Sequence, residues 1–436
     1  MPVRNPLDRE IARLAVPALG ALLAEPLFLL TDTALVGHLG AVPLGGLGIA
    51  SVILSTAVGL LVFLAYATTP IVARRLGSGD LPGAIRAGID GLWLSVLIGA
   101  GILVAGLLGG RALVELFGAT PEVSEAASTY LLISAWGLPA MLLVLAATGL
   151  LRGLQDTRTP LVVAGVGFLA NALLNALFIY GFGWGIAGSA IGTVIAQWGM
   201  AAVYLVIAAR AAARTGVSLK PGFAGVRGAA ASGGWLLLRT ASLRLALLAT
   251  VVAGTQLGVT ELATLQIALT IYSTLAFGLD ALAIAGQAMI GHGLGASDIP
   301  RVTAVTRRLT QLGVVGGIGL GIVIAAVSPV AAPVFTGDAA IQRMLPAVLI
   351  VLAVGIPLAG YVFVLDGVLI GAGDARYLAL SGLTNVAVYL PLLALATAAG
   401  TLTAVWTAFG IGFIGARALT LGLRARGTRW IVTGAR

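Results

Sequence analysis

Asp32 stands in the stretch LLTDTALVGHLG (29–40), inside an apolar run that begins near Ile11 and also contains Glu25. If that run crosses a bilayer, the carboxylate costs about 2.5–3.5 kcal/mol on insertion scales. Acids kept at such a cost face a bundle interior or a watery cavity and mark ion pathways. Polar residues of other apolar runs could converge on it. Asn171 and Asn175 are four apart, hence on one helix face, and so are Thr193 and Gln197. The plainer readings are a carboxylate that only hydrogen-bonds helix neighbours and an Asn pair that glues helices together. Glu25 precedes Asp32 by seven residues, which puts the two within about 20° on one helix face. It is a second proton site or a salt-bridge partner. Pro17 and Pro26 lie in the same run, and each can kink a helix by removing a backbone hydrogen bond. In the second half, Arg244, Asp280 and Asp366 also fall within apolar runs. One Arg with two acids reads first as a buried ion-pair network. In the alternative, Asp280 or Asp366 binds a cationic substrate or a second proton.

The elements that must position these residues are membrane helices. The 436-residue chain is 59% hydrophobic and 9% charged, with a mean hydropathy of +1.07, whereas soluble domains carry about 25% charged residues. Apolar runs of helix-spanning length recur along it, without the short alternating segments of a β-barrel. The fold class is therefore all-α and polytopic. Twelve spans are expected near 11–36, 43–72, 88–110, 127–151, 160–180, 186–209, 232–256, 262–291, 308–332, 344–370, 377–397 and 401–422. With the N-terminus inside, 22 of the 25 basic residues fall on the inner side; Arg111 and Arg343 fall outside and Arg244 within a span. The positive-inside rule then places both termini in the cytoplasm. The opening MPVRNPLDREIARL is too polar for a cleavable signal peptide, so the first helix is expected to stay as an anchor in the cell (plasma or inner) membrane. The basic residues are dispersed rather than clustered with stacking aromatics, which excludes a nucleic-acid surface. No cysteine is present, so no disulfide or thiolate metal site can form.

The chain repeats itself. HLGAVPLGGLGIA (38–50) aligns with QLGVTELATLQIA (256–268), LGSGDLP (76–82) with LGASDIP (294–300), and RGLQDTR (152–158) with IGAGDAR (370–376), always at an offset of 218. Matched Asp, Pro and Arg at one constant offset signal a duplicated architecture. Six helices per repeat gives two parallel lobes, related by a pseudo-twofold axis along the membrane normal. The expected division is a lobe over 1–215, a cytoplasmic linker over 216–231 and a second lobe over 232–436. Asp80 and Asp298 in the matched loops read as helix caps, and GVVGGIGLG (313–321) as a close-packing face. His38 and His292 read as interfacial.

Twelve spans in six-plus-six repeats, TDTALVGHLG in the first, and DGVLIGAGD (366–374) after the tenth resemble the multidrug and toxic compound extrusion (MATE) family, in its DNA-damage-inducible protein F branch. The resemblance covers the whole chain. It implies a secondary antiporter that exports small molecules, works as a monomer among membrane lipids, and uses no cofactor beyond its coupling ion, H⁺ or Na⁺. The family's first-helix Asp matches Asp32, and its Asn/Asp pair on the fifth helix matches Asn171 and Asn175. Here the second member is Asn, which leaves one carboxylate. Na⁺ would find oxygens on Asp32, Asn171, Asn175 and Thr193, but hard cations favour several such oxygens plus charge. A lone carboxylate taken out of water holds its proton more readily, which favours H⁺. The family's proposals for bending of the first helix point to Pro17.

No enzyme is indicated. The only lysine, Lys220, precedes a proline, so no phosphate-cradling Gly-Lys-Ser/Thr loop exists. GWGIAG (183–188) fits a dinucleotide fingerprint but has no βαβ context and reads as a tight turn. The competing functions are a flippase for a lipid-linked intermediate and an uncoupled channel or receptor. The flippase would need a charged cavity, for which only Arg244 is available. The paired repeats and buried acids disfavour the channel or receptor.

Overall fold

The computed structural model describes residues 6–434, apart from the side chain of Glu25. Arg4 and Arg436, counted above on the inner side, lie outside the described residues. Among the described residues, eleven helices are long and apolar enough to cross a membrane: α1 (Pro6–Gly37), α2 (Ala41–Gly77), α3 (Leu81–Glu115), α5 (Arg158–Gly181), α6 (Gly185–Thr215), α7 (Phe223–Leu257), α8 (Val259–Gly295), α9 (Ile299–Phe335), α10 (Ala339–Gly371), α11 (Ala375–Ala398) and α12 (Leu402–Arg426). The twelfth span, α4, is the pair Pro121–Ala135 and Leu138–Gly153, bent by 49° at Trp136-Gly137. Each expected span is helical, the fourth as a bent pair. Most extend beyond their apolar runs, because polar capping residues start the helices outside the stretch that hydropathy detects. Asp80 Oδ1 accepts from Gly83 N at 2.8 Å and Asp298 Oδ1 from Arg301 N at 3.0 Å, each just before a Leu/Ile-Pro start.

The repeat is visible in the helix starts. Val259 lies 218 residues after Ala41, as Ile299 does after Leu81 and Ala339 after Pro121. It is visible in the turns too. Gly40 and Gly258 have φ of +117° and +140°, Gly79 and Ser297 +82° and +58°, and Gln155 and Gly373 +61° and +72°, each pair 218 apart. The backbone of the turn is kept although only one member of two pairs is glycine.

The chain forms two compact units, residues 16–233 and residues 6–15 with 234–434. The first holds a core at its α2–α3 turn end, around Ile85, Ile89, Leu143, Leu150 and Tyr204. A second core lies toward the opposite helix ends, around Val36, Leu47, Val114, Tyr130, Leu131 and Ile179. In the second unit, α9 lies against α10 along Gly313, Gly317 and Gly321. A β-carbon there would stand 2.7 Å from Gly360 O, 2.7 Å from Pro357 Cα and 2.5 Å from Ala353 O, whereas Gly316 and Gly319 face open space. The glycine-rich segment is thus a close-packing face, as its spacing of four predicts.

The stretch expected as a linker over 216–231 is only partly loop. Helix α7 begins at Phe223, nine residues before the expected span. Its first turns are small and polar, so hydropathy passes over them, and the loop before them is strapped to α3. Arg86 Nη1 donates to Ser218 O at 2.9 Å, Trp93 Nε1 to Leu219 O at 2.8 Å, and Gly222 N to Asp90 Oδ1 at 2.8 Å.

Candidate functional site

Three other helices of the 16–233 unit bring polar side chains to Asp32 of α1, which is 2% exposed. From α4, Tyr130 Oη donates to Asp32 Oδ2 at 2.8 Å. From α5, Asn175 Nδ2 donates to Oδ1 at 2.9 Å. From α6, Ser189 Oγ donates to the same oxygen. Behind this shell, Asn171 Nδ2 donates to Thr193 Oγ1 at 3.0 Å, and the two Asn amides exchange bonds of 3.3 and 3.4 Å. Asn171, Asn175, Ser189 and Thr193 are all buried. An ionised carboxylate is a pure acceptor, and three donors on it offset much of the cost of keeping it out of water.

The helices have local reasons to present these groups. Asn171 and Asn175 share a face by their spacing of four, and Ser189 and Thr193 do the same on α6. Between those two, Gly192 lets α6 approach α5, because any β-carbon there would collide with Asn175 Oδ1. The Trp184–Gly185 turn that starts α6 uses φ of +70° at Gly183 and +54° at Gly185, so GWGIAG is a turn. Phe178, Phe182 and Trp184 stack beside it, with Phe178–Trp184 centroids 5.1 Å apart.

The sequence-based quartet Asp32, Asn171, Asn175 and Thr193 therefore meets at one point. Tyr130 and Ser189 were not foreseen. Ser189 had a signal, four residues before Thr193; Tyr130 had none, since tyrosine is ordinary in a span. Gln197, the face-mate chosen for Thr193, instead lies against Gly137 at the break in α4. The side chain of Glu25 lies outside the described residues. Pro17 and Pro26 both sit within α1, which continues through them.

The second-half network needs correction. Asp366 on α10 is held by Arg239 of α7, through a close Nη2–Oδ2 pair and an Nε–Oδ1 bond of 3.4 Å. Arg417 of α12 completes it, with Nη2 3.3 Å from Oδ1. Arg244 is exposed and is not the partner of Asp366. It lies five residues beyond Arg239, a rotation of about 140° that carries it off the Asp366 face. Arg239 and Arg417, counted among the inner-side cations, have side chains only 11% and 8% exposed. Asp280 is half-buried on α8. Where the repeat would put a second Asp32, Thr250 is hydrogen-bonded to Tyr389, the counterpart of Asn171, at 2.6 Å.

Among the described residues no three His, Cys, Asp or Glu side chains gather as a metal site. A cation at Asp32 would be met by one carboxylate, two amide oxygens and hydroxyls. The MatE family model matches residues 17–177 and 240–395. Protein DETOXIFICATION 45, chloroplastic, of Arabidopsis thaliana is 30% identical over 95% of this chain and 78% of its own length. DNA damage-inducible protein F of Escherichia coli is 29% identical over 84% of this chain and 81% of its own. The crystal structure of the Vibrio cholerae MATE transporter VcmN in the bent form matches with a TM-score of 0.88 at 21% identity, covering 98% of each chain, which is a likeness of fold.

Proposed function

The chain belongs to the MatE family, and from that premise we propose a secondary antiporter that exports small amphipathic or cationic organic molecules in exchange for H⁺. It is a multi-span membrane transporter of the efflux type and not an enzyme. The observation that carries the proposal is the buried carboxylate of Asp32, the one acid of its cluster, facing three donors from three other helices. A group so placed changes its partners when it gains a proton, and a change of partners on four helices biases a conformational equilibrium. Sodium is the second ion considered. It needs several oxygens with charge, and this cluster supplies one carboxylate, its other oxygens being neutral amides and hydroxyls. A proton needs one oxygen, so H⁺ is favoured. The working arrangement is a monomer in the cell membrane with both termini in the cytoplasm, alternating access between its two units.

Transport in proteoliposomes tests this. An imposed pH gradient alone should drive export, added Na⁺ should change it little, and Asp32→Asn should abolish it while leaving the protein folded. Asn175→Asp should introduce Na⁺ dependence. Full gradient-driven export by Asp32→Asn would refute the coupling role, and strict Na⁺ dependence of the wild type would reverse the ion.

A further inference from the structure

Helix α1 is divided between the two compact units. Residues 6–15 belong with 234–434, and the helix from Val16 onward belongs with 16–233. Helix α7 is divided the same way, its residues up to Gly233 lying in one unit and those from Gly234 in the other. The two crossings, at 15/16 and 233/234, are 218 residues apart, the offset of the repeat itself. In each unit the incoming arm is gripped by the third helix of the resident repeat. Arg308 of α9 forks Asp8, with Nε 2.6 Å from Oδ1 and Nη2 2.7 Å from Oδ2, and Arg301 holds Glu10 at 2.5 Å. On α3 the residue equivalent to Arg308 is Asp90, which accepts from the Gly222 amide, and Arg86 lies 3.3 Å from the same carboxylate. Pro17 stands just past the crossing in α1 and the pair Gly233-Gly234 straddles the crossing in α7, residue types at which helices bend.

Asp8 and Asp32 are on the same helix, 24 residues apart along the chain. One end of α1 carries the Asp32 site of the 16–233 unit, and the other end is fastened inside the second unit. We propose that Asp8 and Glu10, through Arg308 and Arg301, are positioning residues for ion-coupled transport, anchoring α1 so that a change at Asp32 reaches the second unit. This rests on the reading of Asp32 as the coupling residue. Without the anchor, the first turns of α1 would swing about Pro17 and the change at Asp32 would end there. The four side chains are partly exposed, so their pairs add little to stability, and their contribution is to hold a direction.

The test uses the full-length protein in proteoliposomes with a substrate dye and an imposed ion gradient, with substrate-induced proton release in detergent as a second reading. Arg308→Glu, and separately the double substitution Asp8→Asn with Glu10→Gln, should lower gradient-driven export at least tenfold. Substrate-induced proton release, which Asp32→Asn removes, should stay within twofold of wild type in both. The exchanged pair Asp8→Arg with Arg308→Asp should recover at least half of the export. Wild-type export by the double substitution, or no recovery by the exchanged pair when it is folded by size-exclusion profile, would overturn the anchor. If Asp32→Asn itself exports fully, the coupling reading has failed instead, and the anchor falls with it for a separately visible reason.

Discussion

A β-carbon at position 192 would occupy the space of Asn175 Oδ1, so Gly192→Ala should push that amide off Asp32. The expected outcome is gradient-driven export reduced at least tenfold with Asp32 intact, measured beside a control alanine at Gly199, where nothing stands within 4 Å. The Asp366 cluster gives the second expectation at this scale. Its side chains are nearly dry, and removing one partner of a buried pair costs about 3–5 kcal/mol. Asp366→Asn leaves Arg239 and Arg417 facing each other, so thermal unfolding in detergent should begin markedly earlier, whereas Arg244→Ala should unfold like wild type. These residues differ in how far sequence exposes them. Asp32 is legible because a charge inside an apolar run contradicts its surroundings, and Asn171 and Asn175 follow from their spacing together with the family resemblance, whereas spacing gave Thr193 the wrong face-mate in Gln197. Ser189 and Tyr130 contradict nothing where they stand. Arg239 and Arg417 lie near the ends of apolar runs, where hydropathy counts them with the loops, and only the packing of α7, α10 and α12 reveals them as buried.

Among elements, the turns between helices keep their backbone while changing their residues. Ser297 adopts φ +58° where its counterpart Gly79 adopts +82°, and Gln155 adopts +61° where Gly373 adopts +72°. Side chains are disfavoured in that region and glycine is not. Ser297→Gly and Gln155→Gly should therefore each stabilise the protein, by up to about 1 kcal/mol, and Gly79→Ser should do the reverse, read from midpoints of thermal unfolding. Helix existence was fully legible, since each span needs some twenty apolar residues and nothing else in the chain supplies them. Helix starts were less so. The first turns of α7 and α9 are made by small, polar and capping residues, which belong to the helix by hydrogen bonding and not by hydropathy. The break in α4 at Trp136-Gly137 had no signal in the apolar pattern, because apolar residues continue on both sides of it.

At the scale of the molecule, the distribution of arginine and the parity of twelve spans make the orientation testable. A cysteine at Ser78, exposed in the α2–α3 turn, should be labelled only from the cytoplasm. On the opposite side, exposed Glu122 in the first turn of α4 is a better site than Gly118 of the preceding loop, whose φ of +62° disfavours a side chain, and a cysteine there should be labelled only from outside. Labelling from the opposite sides would invert the topology, and same-side labelling would break the span count. The constant offset of 218 announces two repeats in the sequence, but it does not show that the compact units depart from the repeats at their edges. Hydropathy sees α1 and α7 as single uninterrupted helices, and only contacts reveal that each begins in one unit and continues in the other. The exchange bears on ancestry. A six-helix precursor with the same arm would have completed its fold only by lending that arm to a second copy and receiving one in return. It would have been an arm-swapped homodimer, and gene fusion would have joined two chains that already depended on each other.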